Sequence, residues 1–305
     1  MNSKEKFENL LTKLKSSIQA DTTDLELVES GKCFRTNIKG ETEEIQAPLT
    51  LIEIEKLAYL LSSSKNYIIS NKYPVLNTDY ENLRVNINLS PAKKEPTLTI
   101  RVHHLSFFSF EDLQNQGMFS YETSKILLDY LKKRANILIS GETGSGKTTL
   151  LSALVNKIDE EQKLIIIENT PEIACNHSYI TTMKIKEEDD NSQEGINGVE
   201  AVREALRQNP DRIIYGEVRD KTALSLIKAW NTGHSGGLAT IHSNSTKMVK
   251  DRLISLCLED TNNNSYEFTK SLIDNVLDLA IQIEIVNKKR QITEIYDFKK
   301  NTRIL

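Results

Sequence analysis

Near the start of the chain, apolar residues fall at Phe7, Leu10, Leu11, Leu14 and Ile18, with lysines and glutamates between them. That spacing predicts an amphipathic helix over 1–20. Its stripe suits packing on its own domain. Flanked by Lys4, Lys6, Lys13 and Lys15, it also suits contact with a membrane surface or a second subunit. From Leu25 to Leu49 the pattern shortens to strands broken at Glu29-Ser30-Gly31 and Lys39-Gly40. Thr50 with Glu53 three residues on reads as a capping box, opening a helix with Leu51, Ile54, Leu57 and Leu61 on one face. Alternation returns in Leu83–Leu89 and Leu98–Val102. These elements predict a small α+β domain over 1–105.

Residues 106–120, SFFSFEDLQNQGMFS, show no clear periodicity and read as a linker. Beyond it, over 121–305, the pattern changes. A helix over 120–133 is followed by an apolar run at Asn136–Ser140, a helical stretch at Thr149–Lys157 and a second run at Leu164–Ile167. That alternation predicts an α/β domain, a mostly parallel sheet flanked by helices. Leu277–Val286 and Gln291–Phe298 read as a hairpin closed over Asn287-Lys-Lys-Arg.

Composition narrows the function. The 305 residues carry 39 basic and 43 acidic side chains, a formal net charge of -4. This is not the basic footprint of a bulk nucleic-acid binder. Cys33, Cys175 and Cys257 are scattered and form neither a disulfide framework nor a zinc pattern, which fits a reducing cytosol. The N-terminus lacks the apolar core of a signal peptide, and no run approaches the roughly 18 apolar residues of a membrane helix. Contact with a membrane is therefore expected to be peripheral.

The strongest chemical signal is Gly141-Glu-Thr143-Gly144-Ser145-Gly146-Lys147-Thr148, followed by Thr149. It matches GxxxxGK(S/T) between a strand and a helix. Glycines let the backbone N–H groups curl inward onto phosphate oxygens, and the helix N-terminus adds partial positive charge. Lys147 neutralises the β- and γ-phosphates of ATP, and the Thr148 hydroxyl ligates Mg²⁺. Three more strands end in reactive groups: Leu164–Ile167 at Glu168, with Glu172 close behind; Arg212–Tyr215 at Gly216-Glu217; and Gly237–Ile241 at His242. Ligands in open α/β sheets bind outside the carboxyl ends of the strands. Glu217 is placed to hold Mg²⁺ through water or to orient the attacking water. Glu168 or Glu172 polarises that water, and His242 senses the γ-phosphate. The loop Thr232–Gly237 is expected to supply flexible backbone beside it, with His234 either a turn residue or a participant. Asn156-Lys-Ile-Asp159 spells a guanine-recognition pattern, but lies too close behind the phosphate loop to reach a base, and is read as chance.

The ordered set GETGSGKTT (141–149), IIIENTPE (165–172), ALRQNPDRIIYGEVRD (205–220) and TGHSGGLATIHSNS (232–245) resembles the secretion-ATPase superfamily. These are the hexameric motors of type II and type IV secretion, conjugation and pilus dynamics. The four motifs correspond to its Walker A, Asp box, Walker B and His box. A short N-terminal domain, without the zinc insertion of the type II branch, is most similar to the type IV secretion and conjugation, TrbB-like, branch. The resemblance implies a RecA-like motor domain, ATP and Mg²⁺, and an N-terminal domain whose arginines reach the phosphates, here matched to Arg84 and Arg101. It places Arg207 and Arg219, and more weakly Arg203, toward nucleotide or a neighbouring subunit. It further implies a homo-oligomeric, hexameric ring, cytoplasmic and peripheral to the bacterial inner membrane. The ring would work with membrane secretion components on transferred DNA or protein. Asn169 stands where the family often has Asp, so either Glu168 and Glu172 carry the acidic role or hydrolysis is slow. The expected function is ATP hydrolysis driving substrate transfer or apparatus assembly in a secretion, conjugation or DNA-uptake system. The alternatives are a nucleotide-switched assembly protein with little hydrolysis and a nucleic-acid translocase on the same core.

Overall fold

The computed structural model describes residues 3–38, 40–64, 67–102, 108–186, 195–259 and 265–305. Two compact units are resolved: one over the described residues to Val102, the other over 108–186, 196–259 and 265–305.

The first unit runs α1 (Ser3–Lys15), β1 (Thr22–Leu27), β2 (Cys33–Asn37), β3 (Thr42–Ile45), α2 (Leu51–Ser64), β4 (Val75–Tyr80), β5 (Leu83–Asn88) and β6 (Thr97–Val102). The strands form an antiparallel sheet in the order β3-β2-β1-β6-β5-β4. One face is apolar. Leu25, Val85, Ile87 and Ile100 share a core with Leu10, Leu11 and Leu14 of α1 and with Ile54, Leu57 and Leu61 of α2. The stripe of α1 is thus spent on its own unit. Strand β4 was not legible in the pattern, because Val75 and Leu76 are its only aliphatic residues and Thr78 fills a buried position. The Thr50–Glu53 capping box is present, Thr50 N donating to Glu53 at 2.9 Å.

The second unit runs α3 (Phe110–Asn115), α4 (Tyr121–Lys132), β7 (Ile137–Gly141), α5 (Lys147–Val155), β8 (Leu164–Glu168), β9 (Ile180–Lys184), α6 (Gly198–Arg207) and β10 (Arg212–Val218), then α7 (Thr222–Asn231), β11 (Leu238–Ile241), α8 (Thr246–Leu258), α9 (Tyr266–Val276), β12 (Leu279–Val286), β13 (Lys289–Asp297) and β14 (Thr302–Arg303). The sheet order is β14-β13-β12-β7-β11-β10-β8-β9, parallel from β12 to β9, with an antiparallel edge. Burial on both faces explains the unbroken apolar runs of β7, β8 and β11. Alternate residues serve opposite faces. Ile137, Ile139, Leu164 and Ile166 meet α3, α4 and α5, while Leu138, Ile165, Ile167 and Ile213 meet α6 to α9. This is the RecA-like α/β architecture expected from the motifs.

The stretch read as a linker differs in the structure. Residues 103–107 lie outside the described set, but Phe110–Asn115 is a helix capped by Ser109 and Asp112. Phe110, Leu113, Met118 and Phe119 are buried in the core of the second unit.

The amino-terminal foot of this sheet is stitched by two buried polar side chains. Asn136 accepts from Gly236 N and Gly237 N, both at 2.9 Å, and donates to Val276 O at 2.8 Å. Arg212, 1% exposed, donates to Gln162 at 2.6 Å, Gly236 O at 3.2 Å and Leu131 O at 2.9 Å. Burial pushes its pKa down to about 10. The Thr232–Gly237 loop therefore lies at the end of β11 opposite His242, which corrects its expected place beside the imidazole. His234 is a turn residue there, its Nδ1 bonded to Pro210 O at 3.0 Å.

Candidate active site

Strand register brings the reactive groups to one edge. Ile241 pairs with Ser140, so His242 follows abreast of Gly141. Tyr215 pairs with Ile167, which sets Gly216 beside Glu168. A Cβ on Gly216 would stand 3.1 Å from that of Glu168, so only glycine gives this approach ordinary room. Against β11, the three steps from Tyr215 to Val218 face the two from Ala239 to Ile241, leaving one extra residue at Gly216-Glu217. Such a bulge re-aims side chains at a sheet rim. Thr240 Oγ1 fixes it by donating to Gly216 O at 2.6 Å.

The phosphate loop joins β7 to α5. Gly144 and Gly146 have φ of +76° and +100°, a region that favours glycine. Gly146 caps α5 without a side-chain hydrogen bond, so the first N–H groups of the helix have no capping side chain. Lys147 is 8% exposed. Its Nζ donates to Gly141 O at 3.0 Å and Glu142 O at 2.9 Å, and lies 3.4 Å from His242 Nδ1. Burial lowers its pKa, opposed by the charges of Glu217 and Glu172. His242 Nε2 lies 3.0 Å from Glu217 Oε1. An ammonium has only protons to give, so Nδ1 accepts and Nε2–H faces Glu217.

Glu168 is 5% exposed and turned inward. Its Oε2 accepts from Glu172 N at 3.0 Å and Ile173 N at 3.1 Å, and burial raises its pKa. Glu172 is exposed and acts on Lys147 by charge. Asn169 is half-buried and brings no carboxylate. Thr148 and Thr149 occupy the first turn of α5. Asn156 closes α5 as a tether, its amide donating to Ser152 O and Ala174 O at 2.7 Å each. Arg203, Arg207 and Arg219 are exposed, Arg207 pairing with Glu204.

In the first unit, Arg84 and Arg101 are directly opposite one another on β5 and β6, with Asp24 and Asp79 opposite them on β1 and β4. All four occupy the face away from the helices, since Val85, Ile100 and Leu25 point into the core. Arg101 Nε donates to Asp24 at 3.0 Å.

Sequence patterning missed Gln282. This buried side chain accepts from Ser140 Oγ at 2.5 Å and donates to Ser243 O at 3.3 Å, tying the phosphate-loop strand to the residue after His242. A glutamine in an apolar strand, AIQIEIV, was the available signal. A cavity of about 720 Å³ opens beside Gly141–Thr143 and His242, with Met248, Asp251 and Arg252 of α8 along its far wall.

The donor set fits nucleotide phosphate. A buried ammonium donates to two carbonyls and lies beside an imidazole, the helix end lacks a side-chain cap, and Ser145 Oγ is buried with no partner among the described residues. Fold and site define a P-loop nucleoside triphosphatase of the RecA-like class. Residues 70–297 match the family described as type II/IV secretion system protein, and the chain belongs to that family. It is 32% identical to a probable conjugal transfer protein TrbB of Sinorhizobium fredii over 84% of this chain and 76% of that one. It is 31% identical to the type IV secretion system protein VirB11 of Bartonella quintana over 83% and 82% of the two chains. Its fold is similar to that of the Legionella pneumophila ATPase DotB, with a TM-score of 0.63, 19% identity and coverage of 97% and 80%. The protein is accordingly an ATPase of the secretion-motor kind. Among the described residues no helix is long and apolar enough to cross a membrane.

Proposed function

We propose that the chain hydrolyses Mg-ATP as a homo-oligomeric, hexameric ring. It acts on the cytoplasmic face of a bacterial inner membrane, driving substrate transfer or assembly in a type IV secretion or conjugation system. The observation that carries the reading is the contiguous set Lys147, His242 and Glu217 at one sheet edge, in a chain related to TrbB and VirB11 proteins. Phosphoryl transfer needs mainly positioning and charge. Gly141 to Thr149 cradle the phosphates, and Lys147 neutralises them. Thr148, with Glu217 acting through water, would hold Mg²⁺, which supplies bridging positive charge. Glu217 orients the attacking water, and His242 relays the state of the γ-phosphate to it. Glu172 takes the Asp-box role, because Glu168 is spent on its own loop and Asn169 has no carboxylate. Arg84 and Arg101 add positive charge for the phosphates.

The test is steady-state phosphate release with Mg-ATP, together with solution mass with and without nucleotide. Turnover, a nucleotide-favoured ring and loss of turnover in a folded Lys147→Ala chain are expected. A monomer under all conditions removes the ring, and an unchanged rate in Lys147→Ala removes the mechanism.

A further inference from the structure

The phosphate loop is also held from its outer side, by a residue 146 positions away in sequence. Strand β12 lies parallel to β7, with Ile283 abreast of Gly141. The hairpin then turns back through Asn287 and Lys288, whose φ of 50° and 63° are those of a two-residue turn matched to strand twist. Arg290 faces Ile285 across this hairpin, and its Nε donates to Gly144 O at 3.0 Å. A Cβ on Gly146 would lie 3.1 Å from Arg290 Cδ and 3.3 Å from Met118 Cε. Met118 is itself fixed, its carbonyl accepting from Ile292 N at 2.8 Å. Gly146 is therefore bracketed by two side chains anchored on or beside β13.

We propose that Arg290 is a positioning residue for nucleotide phosphate, holding the phosphate loop in its binding shape through the Gly144 carbonyl. In a trans peptide the carbonyl and the following N–H point opposite ways, so holding the Gly144 carbonyl from outside turns the Ser145 N–H inward, where it donates to Glu142 O at 3.3 Å. A guanidinium on such a carbonyl polarises the Gly144–Ser145 peptide and favours negative charge on its amide side. Glycines at Gly144 and Gly146 make the curled shape reachable but leave it entropically costly to hold. An outer brace lowers the ordering cost of binding. Lys147 anchors the inner side, donating to Gly141 O and Glu142 O, whereas Arg290 takes the next stretch of the loop from behind. Its effect falls on nucleotide affinity, since the brace acts on loop shape with nucleotide bound in either state of the reaction.

The inference rests on phosphate binding in this loop, so Lys147→Ala is measured beside it. MgADP binding is followed by calorimetry, and KM and kcat by phosphate release. Arg290→Ala and Arg290→Gln are expected to weaken MgADP binding about tenfold, the scale of a lost hydrogen bond to a charged group. KM for ATP rises in step, while kcat at saturation stays within about twofold. Arg290→Lys, which keeps a charged donor, falls between these variants and the wild type. Unchanged MgADP affinity in Arg290→Ala, with binding abolished in Lys147→Ala, overturns the proposal and leaves the phosphate loop standing. A fall in kcat with unchanged affinity also overturns it, because Arg290 would then act on the transition state directly.

Discussion

His242 Nε2 lies 3.0 Å from Glu217 Oε1, and the other ring nitrogen lies 3.4 Å from the ammonium of Lys147. One imidazole thus links the ammonium of the phosphate loop to the carboxylate aimed by the β10 bulge. Replacing Glu217 by Gln keeps an acceptor for His242 but removes the charge. Turnover is expected to fall by about a hundredfold or more, the scale of a lost general base, with MgADP affinity kept. Single-turnover phosphate release beside calorimetry separates the two, and wild-type turnover in E217Q takes Glu217 out of the chemistry.

Glu168 gives a pH signature. Burial favours its uncharged form, so the folded chain holds that proton more tightly than the unfolded one. The contribution to stability is full below the ordinary glutamate value and is lost as pH rises through the raised one. Glu168→Gln keeps an acceptor for Glu172 N and Ile173 N without the charge. The melting temperature of the variant relative to wild type is expected to climb as pH rises from the ordinary glutamate value through the raised one. A difference flat across that range refutes the assignment.

Arg212 carries stability rather than chemistry. Arg212→Met keeps length but takes the guanidinium donors from the Gly236 carbonyl and from Gln162 in the interior, while Leu131 O keeps the Arg134 amide. The loss is expected to be about 2 kcal/mol or more, read from denaturant midpoints. MgADP affinity under native conditions stays near wild type.

The Arg84–Arg101 pair makes the opposite prediction. Like charges directly opposite on a sheet oppose folding, and the exposed Arg101–Asp24 pair returns little. Arg101→Thr is expected to change stability by less than about 0.5 kcal/mol. Turnover falls by about tenfold or more if the pair serves the phosphates. Unchanged turnover makes both arginines ordinary surface residues.

Much of this was legible in the chain. The phosphate loop is written in consecutive residues, and apolar strands ending at Glu168, Glu217 and His242 mark the edge where the candidate site lies, because a parallel sheet aligns strand ends. What escaped depended on contacts distant in sequence or on side-chain direction. Nothing local distinguishes Glu168, which turns inward, from Glu172, which does not. Gln282 and Arg290 reach the site only because β12 lies beside β7. Helix α3 was passed over because it is short and its capping partner is Asp112 rather than the usual Glu or Gln.

The stitched foot of the second sheet has a consequence for local unfolding. Amides near Asn136 and Arg212 sit under side chains that cross-link strands β7, β10 and β11 to the adjoining helices. At the other end of β7, the backbone passes into glycines at positive φ, Gly141, Gly144 and Gly146. Opening free energy follows such local differences in bonding. Amide hydrogen exchange should therefore run from slow to fast along β7 itself, with Ile137, beside Ile213 and Leu238 of the neighbouring strands, among the slowest and the backbone from Gly141 to Gly146 among the fastest.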